Sequence, residues 1–176
     1  TAIREAAEVL ERELAQQESK RIWDGAQRDG DSPYLSRKQI KPIGVKFKDG
    51  DIIIPLYNNK KIVSLQYIKP DGSKLFQPGG LKKGSYFPIA KPDDEKSTFI
   101  ICEGWATGAS IYEATGIPVI VAWDAGNLVP VTKVIKEKYP DSKIILAADN
   151  DDWTFDPQKR PKDIVAKEVL VDDPRW

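Results

Sequence analysis

From Ser97 onward the chain alternates short apolar runs with helical stretches, and that alternation constrains its fold more than any other feature. Ser97 to Cys102 reads as a strand, and Trp105 to Ala114 follows with a helical pattern that Gly116 is placed to stop. Val119 to Trp123 reads as a second strand and Pro130 to Lys138 as a second helix. Lys143 to Ala148 reads as a third strand and Lys162 to Leu170 as a third helix. Crossovers of this length join parallel strands, with helices covering both faces of the sheet. The expectation is an α/β fold built on a parallel sheet.

The upstream grammar is different. Residues 2 to about 28 carry Ile3, Ala7, Leu10 and Leu14 at helical spacing, with Glu8 and Arg12 placed to pair four residues apart. Gly30-Asp31-Ser32-Pro33 ends that pattern. Ile43 to Phe47 and Asp51 to Leu56 flank Lys48-Asp49-Gly50, a hairpin signal. Asn58-Asn59 turns into Ile62 to Ile68, Pro70-Asp71-Gly72 turns into Leu75-Phe76, and Tyr86 to Ile89 follows Gly79-Gly80. These runs predict a small antiparallel meander. A charged linker at 91–96 then separates an α+β part, 1–96, from the α/β part, 97–176.

Composition narrows the chemistry. The chain has no histidine and one cysteine, which leaves no zinc site, no internal disulfide and no Ser-His or Cys-His nucleophile. Catalysis would have to run on carboxylates, lysines, hydroxyls and bound metal. Cys102 lies within an apolar strand and reads as a packing residue. No apolar run is long enough to span a membrane, and the charged N-terminus is no signal peptide, so a cytoplasmic setting is expected. The absence of any methionine, including at position 1, points to a piece of a longer protein.

Net charge is zero, from 27 basic and 27 acidic side chains, but its distribution is uneven. Arg37, Lys38, Lys41, Lys46 and Lys48 occur with no acid between them. From Lys60 to Lys83 six lysines face only Asp71, while acids gather at Asp149, Asp151, Asp152 and Asp156. A basic front half and an acidic cluster suit a polyanion held near a metal. Two solvated surfaces would look the same.

Three acids fall just after the strands, where open parallel sheets bind ligands. Glu103 follows the first, Asp124 the second, and Asp149 with Asp151 the third. Two carboxylates one residue apart project the same way from extended backbone. Such hard oxygen donors are what Mg²⁺ or Mn²⁺ requires. Taken alone, Glu-Gly is also a solvated turn, and Asp-Asn-Asp-Asp an Asx turn or helix cap.

Ile100-Ile101-Cys102-Glu103-Gly104 with Ala148-Asp149-Asn150-Asp151 resembles the Toprim pattern of bacterial-type primases, topoisomerases and some nucleases. Glu103-Gly104-Trp105-Ala106-Thr107-Gly108 is similar to the Glu-Gly-aromatic-Ala-Thr-Ala signature of the alpha-type primases of satellite phages and conjugative plasmids. Trp123 to Leu128 and Pro33 to Lys38 resemble the same group, and the likeness covers roughly residues 20 to 152. It departs at Gly108, where Ala is usual, a change that reads as sterically mild. It departs again after Asp152, where a Gly-containing turn, a helix and a fourth strand are usual: either the chain stops inside an insertion, a truncated Toprim part, or the sheet is completed differently.

The resemblance implies a Toprim-like parallel sheet with flanking helices behind a smaller α+β subdomain. It implies metal-dependent primer synthesis on single-stranded DNA from nucleoside triphosphates. Asp149 and Asp151 correspond to Mg²⁺ or Mn²⁺ ligands, and Glu103 to a further ligand or the base that takes the hydroxyl proton. Arg37, Lys38, Lys74, Lys82 and Lys83 would hold triphosphate and template. Asn127 would bond a nucleotide or cap the following helix, and Asp124 is a secondary acid. A helicase, in trans or on the same full-length chain, is the implied partner, in the host cytoplasm of a phage or plasmid. A Toprim nuclease and a non-catalytic nucleic-acid-binding module remain alternatives.

Overall fold

The computed structural model describes residues 2–91 and 97–149, and the backbone of 164–168. By their internal contacts they form two compact units, Thr1–Phe87 and Pro88–Trp176.

The first unit opens with α1 (Ala2–Gly25). It stops short of residue 28 because Gln27 exchanges two backbone hydrogen bonds with Phe47, at 2.8 and 2.9 Å, which draws the chain into the sheet. The face that packs is not the one the spacing suggested. Ile3, Leu10 and Leu14 are exposed, whereas Ala15 and Ser19 are buried. Small residues let the helix approach the sheet closely, and Ile22 and Trp23 pack with Ala26 against Ile53 and Leu65. A short helix the sequence reading missed, α2 (Pro33–Lys38), follows. Ser32 caps it by accepting from the Tyr34 N–H, and Pro33 opens its first turn.

Four strands make the expected meander: β1 (Lys46–Lys48), β2 (Asp51–Asn58), β3 (Lys61–Ile68) and β4 (Lys74–Phe76), antiparallel in that order. Both tight hairpins need two residues with positive φ. Asp49 and Gly50 supply 53° and 85°, and Asn59 and Lys60 supply 46° and 63°. Residues 52–56 of β2 are buried throughout, as a continuous apolar run covered on both faces should be. The expected fifth strand of the meander, β5 (Phe87–Ile89), instead joins the second sheet.

That sheet has the order β5-β7-β6-β8-β9, with β6 (Thr98–Cys102), β7 (Val119–Val121), β8 (Lys143–Asp149) and β9 (Ile164–Glu168). β7 and β8 both pair parallel to the central β6. The crossovers are α3 (Trp105–Thr115) and α4 (Ala125–Lys138). One crossover leaves β6 for the neighbour on one side and the next returns past it to the other side, so right-handed connections put the helices on opposite faces. Gly116 ends α3 at φ 69°, its N–H bonded to the Tyr112 carbonyl at 2.8 Å. α4 begins at Ala125, not Pro130; the proline sits inside it, because Asp124 caps the earlier start.

The third helix expected at 162–170 is a strand in its described part. β9 pairs antiparallel with β8, from Ile145 opposite Glu168 to Asp149 opposite Ile164. Ile164-Val165 is β-branched, and the open edge of β8 offers a ladder that outweighs the helical spacing. The architecture is mixed α/β, parallel at its centre with an antiparallel edge.

Candidate active site at the carboxyl ends of the second sheet

β6, β7 and β8 all end at one edge of their sheet. Cys102 pairs with Ala147 across β6 and β8, so Glu103 stands beside Ala148, and Asp149 lies one residue further along. With strands about 4.8 Å apart and a rise of about 3.3 Å per residue, the two Cα atoms lie roughly 6 Å apart. The ends of β6 and β8 also flank the point where the strand order reverses, which is where open α/β sheets bind ligands.

Local hydrogen bonds fix this edge. Ala122 and Trp123 donate their backbone N–H groups to the carbonyls of Cys102 and Glu103, each at 2.8 Å, extending the ladder past the strand ends. Trp123 does so at φ 80°, a conformation that bulky residues rarely adopt. Asp124 caps α4, its Oδ1 accepting from the Asn127 N–H at 2.9 Å. Asn127 is buried, and its Nδ2 donates to the Ala122 carbonyl at 2.8 Å. The cap therefore belongs to Asp124, and the Asn127 amide donates within the turn. The resemblance already took in Trp123, but only its backbone angle shows the strain it carries here.

Glu103 is half-buried, and the next residue, Gly104, opens α3. Cys102 is fully buried, its Sγ 3.5 Å from the Gly104 carbonyl. Gly108 packs more tightly than a mild change implies. A methyl there would come within 3.0 Å of Cys102 Sγ and Ile89 Cδ1 and 3.2 Å of Val119 Cγ1. The Asp149 side chain and the whole of Asp151 lie outside the described residues. Among the described residues, no three metal-binding side chains gather.

The basic candidates lie in the first unit. Arg37 donates Nη2 to the Pro70 carbonyl at 2.6 Å and lies with Lys38 over the Tyr34 ring, each 6.0 Å from its centre. Arg37 thus braces α2 against the turn between β3 and β4. In that turn Asp71 accepts from the Ser73 N–H and hydroxyl, at 2.8 and 2.7 Å, which hold its carboxyl below the usual range. Lys74 and Lys83 are exposed, and Lys82 Nζ lies 5.2 Å from the centre of the Phe76 ring.

Residues 98–167 match the family model of the Toprim domain. The second unit carries a Toprim domain. Its segment holds β6 through β8 and most of β9, with Glu103 and Asp149 inside it. The chain is 32% identical over 143 residues to a DNA primase TraC of Escherichia coli, covering 78% of this chain and 10% of that protein. A second DNA primase TraC of Escherichia coli is 32% identical over 126 residues, covering 68% of this chain and 12% of its own length. The chain thus spans about a tenth of these relatives. In fold it is similar to the primase fragment of the bacteriophage T7 primase-helicase protein, with a TM-score of 0.51 and 14% identity over 73% of this chain and 62% of that one. The chain shares sequence kinship with the first pair and only its fold with the last.

Proposed function

We propose that this chain is the nucleotide-polymerising core of a DNA primase, making short primers on single-stranded DNA during phage, plasmid or mobile-element replication. The carrying observation is the register of β6 and β8, which sets Glu103 and Asp149 on adjoining strand ends at the switch point of the sheet. Kinship to the TraC primases supports the same reading.

The donor chemistry of this edge fits a hard divalent cation, since carboxylate oxygens are its preferred ligands. Glu103 and Asp149 would hold it, with Asp151 from the segment that follows. When bound, Mg²⁺ or Mn²⁺ supplies Lewis-acid stabilisation of the attacking and leaving oxygens. In primer synthesis a 3′-hydroxyl attacks the α-phosphorus of an incoming triphosphate, its proton passes to Glu103 or to water, and pyrophosphate leaves. The turn from Trp123 to Asn127 holds the Glu103 backbone still, which limits reorganisation as charge develops.

Lys74, Lys82 and Lys83 are the candidates for template and triphosphate contacts, and the natural setting is the cytoplasm of a host cell with a helicase as partner. Among the described residues no helix is long and apolar enough to cross a membrane. The deciding experiment incubates the chain with single-stranded DNA, four nucleoside triphosphates and Mg²⁺ or Mn²⁺. Short labelled oligomers are expected; shortening of the DNA instead would make the chain a nuclease.

A further inference from the structure

The first sheet carries a pocket of about 410 Å³ on the face where α1 packs, in a size range that suits a small ligand. Ile53 pairs with Tyr67 and Tyr67 with Leu75, so these three form a row across β2, β3 and β4 on one face. Asp51 and Lys48 pair one step along the same face. Ile53 is fully buried and Leu75 is 55% exposed, so the row runs from the core to the surface. The Tyr67 hydroxyl donates to Gln77 Oε1 at 2.6 Å, so its ring acts as an apolar wall. At the back, Lys69 Nζ donates to the mostly buried Asp51 carboxylate at 2.6 Å.

Charge decides what fits. Lys48 and Lys69 are balanced by Asp49 and Asp51, so the lining as a whole does not attract phosphate. A planar heterocycle suits it better. Apolar walls would cover the ring faces, and an acceptor beside a donor would meet a polar edge. Aromatic and apolar sheet faces hold the bases of single strands in this way.

We propose that this pocket takes a nucleobase, from a single strand or from a free nucleotide. The inference rests on reading the chain as a nucleic-acid enzyme and adds base contact to phosphate contact. The test measures affinity of the whole chain for oligothymidylate and for an abasic oligomer of equal length, across a salt series. If a strand base enters, the intact oligomer binds on the order of 10-fold tighter. That ratio should stay nearly constant with salt, because phosphate contacts are common to both oligomers. Leu75→Ala, at a half-exposed position the fold should tolerate, should bring the ratio close to one and leave abasic binding unchanged. A ratio near one in the parent, with ATP binding that Leu75→Ala weakens, would assign the pocket to a free nucleotide. A ratio near one with no Leu75-dependent ATP binding overturns the proposal. Primer synthesis can fail while the ratio holds, and the ratio can vanish while synthesis continues, so the two readings fail separately.

Discussion

Trp123 donates its backbone N–H to the Glu103 carbonyl at 2.8 Å while holding a φ of 80°, so a strained residue of one strand end clamps the backbone of its neighbour. Left-handed backbone costs a non-glycine residue roughly 1–2 kcal/mol. Trp123→Ala should therefore be less stable than Trp123→Gly by about 1 kcal/mol, although alanine is the better residue almost anywhere else. Thermal or denaturant unfolding of the pair gives the answer, and the reverse order would remove strain from the account.

The carboxylates are tested by charge alone. Glu103→Gln and Asp149→Asn keep shape and remove the charge that holds a cation. Apo stability should stay level or rise slightly, because neighbouring carboxylates repel. Oligomer synthesis should drop on the order of 10²-fold or more. Asp151→Asn should behave likewise and Asp152→Asn should do less. Folded variants that synthesise at the parent rate would show that these carboxylates do not carry the chemistry.

Gly108→Ala gains about 1 kcal/mol of helix propensity but must push a methyl into three buried neighbours, which costs roughly 1–3 kcal/mol. The net expectation is a loss of about 1 kcal/mol. Cys102→Ala in the same chain should recover part of it, by vacating the space of Sγ. Simple additivity of the two changes in a double-mutant cycle would show that they do not meet.

Lys74, Lys82 and Lys83 together should set much of the salt dependence of single-strand binding. Replacing all three by Gln should lower the log-log salt slope by about 2, at roughly 0.7 per phosphate contact. Arg37→Ala should act differently. Its guanidinium is bonded to the Pro70 carbonyl, so unfolding should shift more than affinity.

Asp71 gives a pH test. Its carboxyl is held below the ordinary range by Ser73, so its contribution is present above that range and is lost as pH falls through the lowered value. Asp71→Ala should lower stability slightly at neutral pH and leave it little changed at strongly acid pH, so that the acid limb of the stability curve flattens.

The alternation after Ser97 made the parallel core legible, and the position of each acid after a strand pointed to the sheet edge where Glu103 and Asp149 stand. Other features were hidden for physical reasons. Ile164-Val165 carries helical and strand signals at once, and only the open edge of β8 decides between them. The buried residues of the α1 face are Ala15 and Ser19, small residues that no hydrophobic pattern selects, with Ile22 and Trp23 packing beyond them. Pro130 looks like a helix start because proline favours first turns, yet the Asp124 cap lies ahead of it. Asn127 read as a nucleotide contact or a helix cap, and its buried amide donates to the Ala122 carbonyl, a contact that no sequence pattern announces.

The central position of β6 has a consequence for synthesis on the ribosome. This strand emerges before both of the strands that flank it, and its partner β8 is made only after α3, β7 and α4 have followed. Until then its backbone edge toward β8 has no native partner, while the hairpins of the first unit close within a few residues of their turns. The nascent chain should acquire its meander early and its acidic edge late. Ribosome-stalled chains ending before residue 143 should expose an apolar edge that holdase chaperones bind.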